Sequence, residues 1–366
     1  MATGPRGLQY NPAFDGIRGI AILSVVVFHY TWFSAGWAGV QLFFVLSGFL
    51  ITSILLAERD KPIRRYLGRF YWRRTLRIFP LYLTYLVILA ASFAAFGVPS
   101  ALREQWPYLF TYTFNFSGLF EPNAYSRTTG HLWSLSVEEQ FYLVWPLVVF
   151  LIPVRWFTRV AMTLVLFGPV VRVLTYAFLT LSGDAGLLGR LPTSNIDAFA
   201  IGALVAGSSQ SGDARHARWL FLVVSAVVLI FGQLQGLVAY NHFALDTGLG
   251  YPNGGARDQW IWASSLINTW AASLLVAATQ PGRISGLLAW APLVFVGRIS
   301  YGMYVVHSVI LMWFQKALGP LHGLANVLEF SVYLGFVVLV AAISYRWLET
   351  PFLKMKSRFF AAEAAA

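Results

Sequence analysis

The sequence predicts an all-α integral membrane protein, a bundle of about ten transmembrane helices with both termini cytoplasmic. Three observations carry this. The 366-residue chain is 58% hydrophobic and only 11% charged, whereas soluble domains run at roughly 45–50% apolar and about 25% charged. Its mean hydropathy of +0.64 describes more apolar surface than a soluble fold of this size can hide. Its Lys and Arg residues collect in alternate connections, as they do in cytoplasmic loops.

Apolar runs of spanning length, about 20 residues for a hydrocarbon core of about 30 Å, fall at 17–35, 40–57, 78–97, 135–153, 160–180, 195–209, 219–237, 258–279, 292–315 and 326–348. The first carries Asp15 and Arg18 at its start and is followed by a second hydrophobic arm, so it reads as a retained helix and not a cleaved leader. A strongly basic loop, 59–77, separates the second run from the third. Segment 106–116 is too short to span and reads as re-entrant or interfacial. Trp106, Tyr108, Tyr112 and Trp133 suit the headgroup level.

The net charge of +11 arises from 26 Lys+Arg against 15 Asp+Glu. In a soluble protein that would suggest nucleic acid; here it reads as orientation, and no nucleic-acid partner is expected. With both termini inside, eighteen cations fall on the inner side, at Arg6, in loop 59–77, at 155–159 and 215–218, at Arg283 and Arg346, and in the tail; five, Arg103, Arg127, Arg190, Arg257 and Lys316, fall outside. The inner membrane is the expected location. The chain has no cysteine, which excludes disulfides, thiolate metal sites and a cysteine nucleophile. It shows no linker and no evident repeat. It reads as a single transmembrane domain, 1–352, followed by a short basic tail, 353–366.

The stretch FDGIRGIAILSVVVFHY, 14–30, is the most informative. On an α-helix Arg18 and His29 differ by about 20° in direction and about 16 Å in height, so they mark one line along one face. Asp15, three residues before Arg18, can pair with it at the inner end. His29 lies roughly 20 Å above Asp15, in the outer half of the bilayer. An ionisable group in a membrane is costly and by default marks a functional site; the alternatives are an orientation anchor for Arg18 and a satisfied core imidazole for His29. Imidazole is the side chain best suited to take a proton from a hydroxyl near neutral pH.

The Arg-x10-His spacing of the first helix, GVQLFFVLSGFLIT at 39–52, FYWRRTLRIFP at 70–80, HLWSLSVEEQFYLVWPL at 131–147, RISYGMYVVH at 298–307 and YRWLETPF at 345–352 together resemble the membrane acyltransferase-3 family, in order over nearly the whole chain. The resemblance implies a ten-helix enzyme that takes an acyl group, usually acetyl, from acyl-CoA on the cytoplasmic side and places it on a hydroxyl, most often of a sugar, at the outer side. It implies that Arg18 and His29 are the essential pair of the first helix, and it ties Arg74 and Arg77, its Arg-x-x-Arg element, to the CoA nucleotide. Arg73, Arg74 and Arg77 also suit this donor by their own chemistry, since guanidinium forks onto phosphate oxygens; the bland alternative is positive-inside anchoring.

Ser47 and Gly48 lie in the middle of the second helix, where small residues admit a neighbouring helix or the pantetheine arm of a donor. The family often has Asp where this chain has Gln41, and no catalytic role is assigned there. Ser136-x-x-Glu139 reads as a capping box, which makes Glu139 structural. Glu138 shares a stripe with Ser134 and Tyr142 and is the better candidate to face the bundle interior, where it would orient His29 or hold the acceptor. Arg298, Tyr301, Tyr304 and His307 share one helix, with Tyr304 and His307 on one face; acceptor or donor contacts and interhelical hydrogen bonding are equally open for them. Asp15, Trp133, Glu139, Tyr304 and His307 complete the candidate acceptor and orienting set. Arg172 and Asp197 are expected to pair. His131, His216, His242 and His322 are expected to be solvated.

No phosphate-cradling Gly loop, HExxH or carboxylate cluster is present in the sequence, so no metal and no permanently bound cofactor is expected. The expected function is an O-acyltransferase with His29, Arg18 and Glu138 as catalytic residues, Arg73, Arg74, Arg77 and Ser47 on the acyl-CoA donor, and a carbohydrate, glycolipid or other hydroxyl acceptor such as a macrolide. A transporter or flippase is the principal alternative; it predicts an inverted repeat and a pair of broken helices, and the sequence shows neither. Many family members carry a soluble domain after the bundle. Because this sequence ends shortly after Pro351, a second step is expected to come from a partner protein.

Overall fold

A computed structural model describes residues 10–96, 104–120, 128–182, 189–208, 213–240, 249, 259–319 and 322–355. Among these, all regular structure is helical. The main helices are α1 (Pro12–His29), α2 (Ala38–Glu58), α3 (Ile63–Phe96), α4 (Trp133–Leu151), α5 (Val154–Ser182), α6 (Ile196–Gly207), α7 (Ala214–Tyr240), α8 (Gln259–Thr279), α9 (Arg283–Leu288), α10 (Ala291–Arg298), α11 (Ser300–Leu318) and α12 (Leu324–Ser344). A π-helical turn, Tyr345–Glu349, follows α12, and helix resumes to residue 355. Eight helices among the described residues are long and apolar enough to cross a membrane, nine if α10 and α11 count as one interrupted span. The chain is therefore an all-helical, multi-pass membrane protein.

Three expected elements differ. The basic loop 59–77 is helical from Ile63 onward and forms the first half of the 34-residue α3. Arg and Leu are good helix formers, and Pro62 supplies the carbonyl that accepts the first helical amides, Arg65 and Tyr66. At about 1.5 Å per residue α3 outruns a bilayer, so its Arg-rich half projects beyond the apolar core. The expected span 195–209 is instead the 12-residue α6, about 18 Å long and too short to cross. Its start is set by a 3-10 turn at Thr193–Asn195, held by the Asn195 amide donating to the Gly189 and Leu191 carbonyls. The run 292–315 breaks at the buried Ile299 into α10 and α11; a continuous apolar pattern does not reveal such a break. Segment 106–116 holds only short helical turns, as its length required.

The termini before residue 10 and after residue 355, and most of the expected outer loops, lie outside the described residues, as do Arg6, Arg103, Arg127, Arg257, His242, Lys356 and Arg358. The chain forms two compact units, one from residues 1–57 and 133–298, the other from 58–132 and 299–366.

In the first unit, glycines let helices touch backbone to backbone, the usual way membrane helices gain packing energy when lipid is as apolar as leucine. A Cβ on Gly297 of α10 would lie 1.7 Å from the Asp15 carbonyl oxygen, and one on Gly16 of α1 would lie 1.9 Å from the Leu288 carbonyl oxygen. The α2–α6 contact is reciprocal: a Cβ on Gly48 would meet the Phe199 carbonyl oxygen at 2.1 Å, and one on Gly202 the Val45 carbonyl oxygen at 2.0 Å. Of the two uses open to Gly48, the structure shows helix packing. Phe199 stacks on Phe141 of α4 at 4.1 Å between centroids and packs against Phe44 of α2 at 4.7 Å.

Arg172 and Asp197 pair as expected, both almost fully buried. The two guanidinium nitrogens meet the two carboxylate oxygens at 2.8 Å each. Arg172 also donates to the Ile261 and Ser194 carbonyls at 3.0 and 2.6 Å and to the Ser265 hydroxyl. All five guanidinium donors are thus spent, which is what makes a buried charge tolerable. This pair fixes α5 to the irregular entry of α6.

In the second unit, tyrosine hydroxyls of α3 satisfy loop carbonyls: Tyr82 donates to Leu109 at 2.9 Å and Tyr85 to Thr128 at 3.0 Å. Tyr112 stacks on Tyr82 and Phe79. Tyr301 of α11 donates to the Ile78 carbonyl at 2.8 Å.

Candidate functional site

The N-terminal end of α1 begins with Asn11, whose side chain caps the Ala13 amide at 2.9 Å, and Pro12 at the first helical position. This start presents Asp15 and Arg18 one turn apart, and they pair at 2.7 Å as the spacing required. The cluster is larger than the sequence suggested. Tyr10 donates its hydroxyl to the second Asp15 oxygen at 2.9 Å and accepts from Arg298 at 2.8 Å, while Arg298 Nε lies 3.8 Å from Asp15. One carboxylate thus organises two guanidiniums from α1 and α10, because Gly297 brings α10 against the Asp15 backbone.

At the other end of α1, His29 is the last helical residue and is partly buried. Its Nδ1 lies 3.0 Å from the Val25 carbonyl oxygen. A carbonyl only accepts, so Nδ1 carries the hydrogen and the neutral ring keeps its basic lone pair on Nε2. The ring stands edge-on to Phe28 at 5.2 Å. Immediately beyond, Thr31 adopts a left-handed backbone, φ 69°, a strained conformation for a β-branched residue.

Glu138 of α4 accepts hydrogen bonds from the hydroxyls of Ser47 and Tyr142, and Ser47 and Tyr142 are themselves 3.3 Å apart. Glu138 and Tyr142 thus meet on one face of α4, and Ser47, expected on the donor, bonds to Glu138. The capping box does not form. The 3-10 turn Gly130–Leu132 runs directly into α4, so Ser136 lies inside the helix and is fully buried. Trp133, at the helix start, packs edge-on against Phe44 at 6.2 Å.

The arginines of α3 lie in the second unit. Arg73 pairs with Glu58 at 3.1 Å, sharing it with Lys61 at 3.3 Å. Arg74 lies over the Phe70 ring at 5.8 Å. Near Arg77 lies a residue of the YRWLETPF stretch that sequence alone assigned no role. Glu349, on the π-helical turn, is 2% exposed; neither of its carboxylate oxygens has a hydrogen-bond partner, and the Arg77 charge reaches it. The available signal was an acid directly at the end of an apolar run of spanning length, and π-helical turns gather at functional sites.

Tyr304 and His307 are buried with His131, which is 4% exposed and not solvated as expected. Tyr304 donates to the His131 carbonyl at 2.7 Å, His307 Nδ1 meets the Tyr304 carbonyl at 2.7 Å, and His307 Nε2 meets Ser308 at 3.1 Å. The His131 and His307 rings pack edge to face at 4.8 Å. The chain's own groups thus engage both side chains. Among the described residues, no group of three or more His, Cys, Asp or Glu is placed to hold a metal ion.

Charged and polar clusters of this kind, set on membrane-spanning helices, define a membrane-embedded enzyme or carrier class. Residues 11–346 match a family described as an acyltransferase domain, and the chain belongs to this acyltransferase-3 family. It is 27% identical over 368 residues to the O-acetyltransferase OatA of Staphylococcus aureus (strain NCTC 8325 / PS 47), covering 96% of this chain and 59% of that protein. It is 28% identical over 367 residues to the peptidoglycan O-acetyltransferase OatA of Listeria monocytogenes, covering 94% and 56% respectively. A putative O-acetyltransferase of Staphylococcus aureus (strain MSSA476) is 24% identical over 369 residues, with 96% and 59% covered. The chain thus spans less than two thirds of the length of these relatives. No solved structure matches it.

Proposed function

We propose that the protein is a membrane O-acyltransferase that moves an acyl group, acetyl by the names of its relatives, from acyl-CoA on the cytoplasmic side to a hydroxyl of a carbohydrate or glycolipid acceptor on the outer side. The observation that supports this most is the bond from His29 to the Val25 carbonyl, which leaves Nε2 as the basic nitrogen. The acceptor hydroxyl gives its proton to Nε2 as its oxygen bonds to the thioester carbonyl carbon. When the tetrahedral adduct collapses, the C–S bond breaks, the imidazolium returns the proton to the leaving thiolate, and ester and CoA result. Acyl transfer through a covalent acyl-histidine is the variant route, and exchange of label between acyl-CoA and CoA without acceptor distinguishes it.

In this reading Arg74 and Arg77 take the donor's phosphates, with Arg73 beside them. Arg18, about 16 Å from His29 along α1, acts on the donor and not on the same proton. Glu138, with Ser47 and Tyr142, orients the acceptor by hydrogen bonds. The name of the Listeria relative favours a cell-wall glycan as acceptor. The test is reconstitution of the purified chain with labelled acetyl-CoA and a panel of glycan acceptors. Label in ester and stoichiometric free CoA support the reading; no turnover with any acceptor rejects it. A transport path is the second reading, because the break between α10 and α11 supplies one of the interrupted helices it calls for. Acceptor flux without CoA release would select it.

A further inference from the structure

By sequence Arg215, Arg218 and Arg283 are explained as inward-facing positive charge. The structure gathers them on one cavity. Arg215 and Arg218 come from the first turns of α7 and Arg283 from the start of α9; with Gln280 and Pro281 of the α8–α9 turn they line a space of about 270 Å³ in the first unit. Among the described residues, no acidic side chain lines it. The nearest acid in sequence, Asp213, points its carboxylate to the Arg215 amide at 3.0 Å and the His216 ring at 3.1 Å, as a helix-start cap. Positive-inside anchoring explains how many arginines this face carries, but not why two elements more than sixty residues apart in sequence converge three of them on one hollow.

The chemistry of that hollow is phosphate recognition: planar guanidiniums, several donors, and no competing carboxylate. Its surroundings choose among phosphates. The face of α7 just beyond Arg218 exposes Trp219, Leu222 and Val223, and α9 and the residues after it expose Leu287 and Trp290. Tryptophan belongs at the membrane interface, and the aliphatic surface beside it suits acyl chains. We propose that this cavity is a binding site for the headgroup of an anionic phospholipid in the adjoining leaflet, the phosphate held by Arg215, Arg218 and Arg283 and the chains lying along the outer face of α7. Basic pockets between membrane helices bind such headgroups, and each cation near the surface adds to the attraction.

The test uses the full chain in nanodiscs of phosphatidylcholine doped with phosphatidylglycerol, with retained lipid counted by native mass spectrometry. Wild type should retain phosphatidylglycerol over phosphatidylcholine. Arg215→Gln with Arg283→Gln should weaken that retention about tenfold or more, and Arg215→Lys with Arg283→Lys should restore part of it. A charge-matched control, Arg155→Gln with Arg159→Gln, should retain the lipid like wild type. Equal loss in the two Gln pairs would show diffuse surface attraction and overturn the proposal. So would displacement of the lipid by inorganic phosphate or acetyl-CoA at millimolar concentration, which would mark the cavity as a soluble-anion or donor site. All these side chains are exposed, so a variant that folds is expected, and its thermal midpoint without phosphatidylglycerol checks this.

Discussion

His29 and Arg18 lie on one stripe of α1, and their partners differ in kind. Arg18 meets a carboxylate, which keeps its charge in place; His29 meets a backbone carbonyl, which selects its tautomer and leaves a base. The Arg172–Asp197 pair is a third kind, a buried ion pair with every donor used. Removing one partner leaves an uncompensated buried charge. Asp197→Ala is therefore expected to cost about 3–5 kcal/mol, read as a lower thermal midpoint in detergent. A double Arg172→Met/Asp197→Leu variant should recover much of it, because replacing both partners removes the stranded charge. The Arg172–Asp197 and Asp15–Arg18 pairs were legible from spacing and from the cost of charge in a membrane. That Arg298 joins Tyr10 and Asp15, and that Glu349 lies within reach of the Arg77 charge, emerged only in three dimensions, since Arg298 and Glu349 lie more than 270 residues from those groups in sequence.

At the scale of elements, helices were legible by length and apolarity, and their ends and breaks were not. The apolar run that contains Ile299 is continuous in composition, but α10 stops there. The basic run after α2 looked like a loop because charge was read as solvent exposure, whereas arginine favours helix as readily as leucine. That helix carries Arg74 and Arg77 on a rigid element. Arg74→Gln with Arg77→Gln is expected to raise KM for the acyl-CoA donor about tenfold or more while the thermal midpoint holds; an unchanged KM would assign these residues to orientation alone. The α2–α6 contact is built differently, by absence of side chains. Gly48→Val places new carbons within 2.1 Å of the Phe199 carbonyl, so it is expected to lower the thermal midpoint by several degrees, whereas Gly68→Ala, with open space around it, should not.

For the whole molecule, composition alone was enough for the membrane assignment. The chain's lack of cysteine makes its orientation simple to measure. Lys61, in the basic connection after α2, and Thr111, in the exposed turn after 106–110, are expected on opposite sides. A membrane-impermeant maleimide applied to spheroplasts should label Thr111→Cys and spare Lys61→Cys until the membrane is opened. The reverse pattern would invert the proposed sidedness of donor and acceptor.

The chemical proposal rests on one nitrogen, and the most direct test is a single-turnover comparison in liposomes. Purified wild type and His29→Ala are given labelled acetyl-CoA with a glycan acceptor, and ester formation is followed beside thermal midpoint. The expected result is acetyl transfer by wild type and a loss of about 10²–10⁴ in rate in His29→Ala at an unchanged midpoint. Transfer at the wild-type rate by a folded His29→Ala variant would contradict the assignment of His29 as the base.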